Sequence, residues 1–209
     1  MLKIGPSIVF CLLQVTVGAS VSLGATTPCT IGGAVNFAPA VADNLFPRDA
    51  PIGKESPPYS TIVEIDCIAD TVAVKLSFYV RAPDGVNVPG STYNFQTNVP
   101  NVAVRYDIEN GPSTSCSPYS EGWPSHVKQV NRTINCTLTA SAQPKTQIFN
   151  LKMSAYFLKT GNGTTGNLTT IAPVVINEYT PDVSATANVF SGARPANSPY
   201  PHAPSQQRQ

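Results

Sequence analysis

The sequence has few charged residues and few histidines. Only 12% of its residues are charged, the formal net charge is +1 at pH 7, and the chain contains two histidines and one tryptophan. A chain with so little charge has no field that would steer it to nucleic acid or to an anionic membrane surface. We therefore predict that nucleic acid is not a partner.

The sequence also lacks the pattern of an amphipathic helix. No window repeats apolar residues at the three- and four-residue spacing that a helix needs, and no segment reaches the roughly 20 apolar residues of a membrane-spanning helix. Instead, 20 prolines and 14 glycines separate short alternating stretches, which is typical of strands joined by turns. We predict an all-β fold built around one core.

Motifs of catalytic and metal sites are absent from the sequence. His126 and His202 have no serine, cysteine or aspartate partners at a recognised spacing, and there is no GxSxG or HExxH motif. The glycine-rich run at 160–166 precedes no helix and so does not predict a phosphate loop. The cysteines form no CxxC pair for zinc. We predict a protein that is not an enzyme and that needs no cofactor or metal.

The first 19 residues have the features of a secretory signal peptide. Lys3 supplies a positive start, an apolar run extends from Ile8 to Val17, and Val17 and Ala19 are small residues before a cleavage site. We predict that residues 1–19 are removed on export.

Four cysteines remain after this removal: Cys29, Cys67, Cys116 and Cys136. An even number in an exported chain predicts two disulfides. Four cysteines allow three pairings, of which we favour Cys29–Cys67 and Cys116–Cys136, because each pair is local and borders strand-like segments.

Alternation of apolar and polar residues predicts the strands. It is clear at Thr61–Ala69, Val72–Arg81, Val102–Ile108 and Val130–Ala140, and clearest from Phe149 to Phe157. The turn-forming run from Thr160 to Gly166 then suggests that a second strand, Gly166 to Tyr179, returns beside the first. We predict a long hairpin from Phe149 to Tyr179.

The segment 109–129 breaks this alternation and contains the aromatic residues Tyr119 and Trp123 together with His126. It is either a surface excursion tied down by Cys116 or a ligand-contacting loop, since irregular loops with aromatic residues often carry recognition. Tyr119, Trp123 and His126 are therefore our candidate receptor contacts.

Four N-x-S/T sequons occur, at Asn131, Asn135, Asn162 and Asn167. In a eukaryotic secretory protein they would mark a glycosylated surface, and in a chain rich in asparagine and threonine they arise equally by chance. They support an alternative hypothesis, a eukaryotic secreted immunoglobulin-like glycoprotein domain.

Several stretches, in order, resemble bacterial fimbrial subunits assembled by the chaperone–usher pathway, in particular tip or minor subunits and the pilin domains of adhesins. The resemblance extends from Cys29 to Tyr179. Its carriers are Cys29 and Cys67 at the spacing of the family's disulfide, FPRDAPIGKE at 46–55, NVPNVAVRYDIENG at 98–111, and AYFLKTGNGTTGNLTTIAPVVINEY at 155–179.

The resemblance implies an immunoglobulin-like, pilin-type β-sandwich that lacks its last strand. A periplasmic chaperone, and then the N-terminal extension of a neighbouring subunit, would fill the resulting groove by β-strand addition. The groove edge would comprise Leu168, Ile171, Val174, Ile176 and Tyr179. The resemblance further implies export through the periplasm, an outer-membrane usher, and a fimbrium at the cell surface that attaches to a host receptor or glycan.

The segment before Cys29 departs from the family pattern. Residues 20–28 are short for a donor extension, and Val21, Leu23 and Ala25 make a poor donor strand. This departure favours a subunit at the fimbrial tip.

The segment after Tyr179 departs from the pattern as well, because the chain continues to Gln209. In this continuation Val183, Ala185, Ala187 and Val189 alternate as a strand would. If that strand folds back on the preceding one, the sandwich completes itself, does not polymerise and needs no donor. We place the pilin-like domain at 20–190 and a disordered, proline-rich tail at 191–209.

Overall fold

The computed structural model describes residues 29–33, 36–43, 45–69, 71–112, 114–118, 122–178 and 186–196. This part of the chain contains β-strands and no helix, and hence no helix long and apolar enough to cross a membrane. The predicted all-β class is confirmed. The strands are β1 (Cys29–Gly33), β2 (Ala40–Val41), β3 (Tyr59–Ala69), β4 (Val74–Arg81), β5 (Asn94–Gln96), β6 (Val102–Asn110), β7 (Cys116–Pro118), β8 (Ser125–His126), β9 (Arg132–Leu138), β10 (Lys145–Lys159), β11 (Val174–Glu178), β12 (Thr186–Phe190) and β13 (Arg194–Pro195).

Two antiparallel sheets contain most of these strands. Sheet A has the order β1-β3-β10-β6-β5, and β8 also pairs with β6. Sheet B has the order β12-β11-β4-β9-β7. The short strands β2 and β13 form a separate parallel pair.

The core contains the inward-facing side chains of both sheets. Along β3, burial alternates as the sequence predicts, with Thr61, Val63, Ile65 and Cys67 buried. The other strands place large side chains on the same core, so the apolar faces of the two sheets remove each other from water. The largest fully buried apolar and aromatic side chains are Tyr106, Phe78, Phe95, Phe149, Phe157, Phe190, Ile65, Leu76, Ile108, Ile134 and Leu138.

Both predicted disulfides are confirmed. Cys29 lies opposite Cys67 across β1 and β3, and Cys116 lies opposite Cys136 across β7 and β9. Each disulfide therefore joins neighbouring strands of one sheet.

The predicted hairpin from Phe149 to Tyr179 is wrong. β10 pairs with β3 and β6 in sheet A, whereas β11 pairs with β4 and β12 in sheet B. Alternation indicates which face of a strand is buried, but the inward faces of both sheets contact the same core. The pattern therefore could not show that the chain changes sheets.

The segment 160–173 makes this crossing and is held by specific hydrogen bonds. The buried Tyr106 hydroxyl donates to the carbonyl oxygen of Ala172 at 2.5 Å. The side-chain oxygen of Asn98 accepts from the backbone N–H groups of Thr169 and Thr170 at 3.0 and 2.9 Å. β10 and β11 are thus joined by a crossing segment that these hydrogen bonds hold in place, and not by a tight turn.

Some predicted strand boundaries also differ from the structure. Val72 and Val130 were expected within strands, yet they lie outside β4 and β9 and are 66% and 68% exposed. An apolar residue next to a strand fits the alternation even where the chain has left the sheet. Conversely, the irregular segment 109–129 contains β7 and β8, which are too short to produce a period.

The predicted tail at 191–209 does not hold for its first residues. β13 lies within it and pairs with β2, so the paired chain extends past residue 190. The predicted signal peptide and the residues from 197 onward lie outside the described residues.

Candidate functional site

The outer edge of β11, which was expected to border an open groove, is covered by β12 of the same chain. The two strands are antiparallel, with Ile176 opposite Ala187 and Asn177 opposite Thr186, and the register shifts between Val174 and Val175. This pairing corresponds to the self-completed alternative that the alternation of residues 183–189 suggested.

The second side of β12 also has a hydrogen-bonded neighbour. Asn36 and Phe37 donate their backbone N–H groups to the carbonyl oxygens of Asn188 and Val189 at 2.7 and 2.8 Å, and Phe37 forms a parallel bridge with Phe190. β12 therefore lies between two backbone partners.

The side chains of β12 complete the core. Val189 and Phe190 are fully buried, and the Phe190 ring lies 4.9 Å from the ring centre of Tyr106 and 5.8 Å from that of Phe37. Burying a phenylalanine side chain contributes about 1.5–3 kcal/mol. β12 consequently supplies apolar packing as well as strand pairing.

Four of the five predicted groove-edge residues lie near this strand pair. Val174 and Ile176 are buried on β11, while Leu168 and Ile171 are buried in the crossing segment before it, outside any strand. They form part of the core and do not line an open groove. Tyr179 lies outside the described residues.

The three predicted receptor residues have different surroundings. Trp123 packs against the core, and its indole N–H donates to the carbonyl oxygen of Cys116 at 3.3 Å. Tyr119 lies outside the described residues. Both Trp123 and His126 are partly exposed, and 34% of the His126 side chain is accessible.

His126 belongs to a contiguous group on the outward side of sheet A, which we call the polar face: Glu55, Tyr93, Arg105, Asp107, His126 and Tyr156. Because β8 pairs with β6, His126 lies opposite Asp107, and its Nδ1 is 2.7 Å from Asp107 Oδ1. The Tyr93 ring stacks on the imidazole, with 4.7 Å between ring centroids and an interplanar angle of 25°.

Arg105 connects the remaining members of the polar face. Its Nη1 donates to Glu55 Oε1 at 2.6 Å, its Nε lies 3.3 Å from Asp107 Oδ1, and its guanidinium lies 4.9 Å from the centre of the Tyr156 ring. Burial by itself lowers the pKa of Arg105, but the hydrogen bonds and charges of Glu55 and Asp107 more than offset this and raise it. The guanidinium is therefore firmly cationic and paired with two carboxylates.

The polar face follows from strand alternation, although the sequence reasoning did not identify it. On β6, Arg105 and Asp107 alternate with the buried residues Val104, Tyr106 and Ile108. Arg105 and Asp107 thus share the outward side, and register places Tyr156 of β10 opposite Arg105. The sequence could have indicated that Arg105 and Asp107 share one side of a strand. It could not have indicated that Tyr93, His126 and Glu55 lie next to them. Among the described residues, no three histidine, cysteine, aspartate or glutamate side chains group in a way that could hold a metal ion.

The sequon asparagines also differ in their surroundings. Asn131, Asn162 and Asn167 are exposed, whereas Asn135 is half-buried on β9 and accepts a hydrogen bond from the Ser77 hydroxyl at 2.8 Å.

Comparison with known proteins finds distant structural likenesses, two of them to bacterial adhesins. No protein-family model and no curated protein matches the sequence. The chain is similar to the CupB6 tip adhesin from Pseudomonas aeruginosa, with 10% identity and a TM-score of 0.40, over 79% of this chain and 45% of that one. It is also similar to the receptor binding domain of the plasmid-born adhesin MrkD1P of Klebsiella pneumoniae, with 14% identity and a TM-score of 0.38, over 80% of this chain and 94% of that one. This chain thus spans less than half the length of the CupB6 adhesin, and at these scores the two likenesses assign neither a family nor a function.

Proposed function

We propose that the protein is a non-enzymatic adhesive subunit of a bacterial chaperone–usher fimbria, placed at the tip or among the minor subunits. The sequence resemblance between residues 29 and 179 and the signal-like N-terminus support this proposal. The two-sheet sandwich with a disulfide in each sheet agrees with it. Its assembly partners are a periplasmic chaperone, an outer-membrane usher and a neighbouring subunit, and its place of action is the cell surface.

The observation that carries the proposal in its specific form is the position of β12. In a polymerising subunit, the edge of the strand that corresponds to β11 receives a strand from the next subunit. Here β12 pairs with that edge, and Asn36 and Phe37 pair with its other side. A subunit completed in this way folds without a donor, which suits an adhesive unit better than a repeated unit of the shaft.

Deletion of β12 tests this proposal. We expect chain 20–209, expressed in the periplasm without a fimbrial chaperone, to be monomeric and to unfold cooperatively, because its sheet edge is covered. Chain 20–182 lacks β12 and exposes the edge of β11, so it should be soluble only with a chaperone. Chain 20–196, which retains β12 and β13, is the matched control and should behave as the full chain does.

Dependence of chain 20–209 on the chaperone would contradict completion by β12 and would support an open groove filled by a neighbour. The fimbrial role needs a second measurement. Immunogold labelling of cells that express the complete fimbrial system should place the protein on fimbriae, and labelling confined to the periplasm would refute that role.

A further inference from the structure

The charged groups of the polar face are already paired with one another. Arg105 is bound to Glu55 and lies beside Asp107, and Asp107 is bound to His126. With a neutral imidazole, these groups sum to a small negative charge. An anionic ligand would therefore have to approach two carboxylates, and the arginine of the polar face is already paired with them. A second arginine, Arg132, borders the face and donates from Nε to the carbonyl oxygen of His126 at 3.0 Å.

The same groups retain hydrogen-bonding capacity toward solvent. A neutral imidazole whose Nδ1–H donates to Asp107 leaves Nε2 as an acceptor. The guanidinium of Arg105 has five N–H donors, more than its contacts with Glu55 and Asp107 use. Glu55 is 40% exposed in its side chain, and its carboxylate has further acceptor positions. Donors and acceptors thus alternate over a few ångströms.

Two aromatic rings border these groups. Tyr93 stacks on His126, Tyr156 lies against Arg105, and both tyrosines are partly exposed. Aromatic rings next to a few fixed polar groups are the usual composition of a site for a small organic ligand. A ligand whose hydroxyl groups contact these polar groups and whose apolar C–H surface packs on the tyrosine rings matches this composition.

We propose that the polar face is a binding site for an uncharged saccharide, with His126, Arg105 and Glu55 hydrogen-bonded to sugar hydroxyls and Tyr93 packed against the sugar ring. Asp107 is a positioning residue that holds the imidazole and the guanidinium. The proposal rests on the adhesive role proposed above and gives that role a surface and a ligand class. The site lies on the outward side of sheet A, whereas Trp123 packs against the core.

Chain 20–209 should be applied to a printed array of neutral oligosaccharides that end in mannose, galactose or N-acetylglucosamine, with sialylated and sulfated counterparts and with immobilised collagen and fibronectin. We expect binding to at least one neutral oligosaccharide and weaker binding to its anionic counterparts. Replacing His126 by alanine or Tyr93 by alanine should weaken this binding by about tenfold or more, since each removes a direct contact.

Two controls keep this result specific. Tyr93→Phe retains the ring and should therefore bind more tightly than Tyr93→Ala. The double variant Glu109→Gln with Lys152→Gln removes an ion pair of 2.7 Å from the same two strands, outside the polar face, and should bind as the parent does. Replacing His126 also removes a hydrogen bond from the buried Asp107, so the thermal unfolding curve of His126→Ala must show a folded protein at the assay temperature before its binding is compared.

The proposal is overturned if the chain binds only anionic saccharides, only the immobilised proteins, or nothing on the array. It is equally overturned if His126→Ala and Tyr93→Ala bind as the parent does. Failure here together with immunogold labelling of fimbriae would leave the fimbrial role intact. Saccharide binding without such labelling would separate the site from that role.

Discussion

Glu178 ends β11, and its side chain faces the core. It continues the inward series of Val174 and Ile176, lies opposite Phe78 of β4, and is 3% exposed. Neither carboxylate oxygen has a hydrogen-bond partner among the described residues. Burial therefore raises the pKa of Glu178 above its ordinary value of 4.5.

This raised pKa determines the sign of the pH dependence. Above about pH 4.5 the carboxyl of the unfolded chain loses its proton while the native carboxyl keeps it, so the native state binds more protons. The stability contributed by Glu178 is thus fully present below pH 4.5 and is lost as the pH rises through the native pKa. Each unit by which burial raises a pKa corresponds to about 1.4 kcal/mol, and an unpaired buried polar group costs about 1–3 kcal/mol.

We expect Glu178→Leu to raise the free energy of unfolding by about 1–3 kcal/mol at pH 8, because it removes the unpaired polar group. Glu178→Gln removes only the charge, so it should gain stability over the parent at pH 8 and match the parent near pH 4. Urea unfolding between pH 4 and pH 8 measures both effects, and subtraction of the parent curve cancels the other titrating groups.

Glu64→Gln is the matched control, because it makes the same change at a partly exposed position on β3. The difference from the parent should change more with pH for Glu178→Gln than for Glu64→Gln, because only Glu178 is buried. A Glu178→Gln variant that follows the parent at every pH, or that differs from it by a constant amount, would refute the reasoning.

Two further substitutions test the packing around β12 and the crossing segment. Phe190→Ala should lower the free energy of unfolding by about 3–5 kcal/mol, since the ring is fully buried between Tyr106 and Phe37; an unchanged urea midpoint would show that β12 does not pack as described. Tyr106→Phe should lower it by about 1–3 kcal/mol because the carbonyl of Ala172 loses its buried donor. Tyr93→Phe is the comparison for this change and should shift the midpoint little, so equal shifts in the two variants would contradict the assigned hydrogen bond.

The sequence predicted those features that depend on local alternation. Val63, Ile65 and Cys67 repeat every second residue and are buried on β3. The same period placed Cys67 on the inward face of a strand, and the predicted disulfide to Cys29 joins it to the opposite residue of β1. Burial of one strand face requires no knowledge of the partner strand, which explains why these predictions succeed.

Features that depend on distant parts of the chain were not predictable in the same way. The pairing of β8 with β6 brings His126 next to Asp107. The alternation around each of these residues does not predict that the other is its neighbour. The alternation of Ala187 and Val189 did indicate a strand. β11 could pair with this strand or with a strand donated by another subunit, and the difference in free energy between the two pairings decides which forms. A pattern of apolar residues does not give that difference.

The disulfide between Cys29 and Cys67 has a mechanical consequence under the adhesive role proposed above. β1 is an edge strand, and tension on the residues before it would otherwise peel it from β3 one hydrogen bond at a time. The covalent link lies at the first residue of β1, so such tension passes directly to β3, which is hydrogen-bonded on both sides within sheet A. The load then acts on a central strand, and β1 itself bears almost none of it.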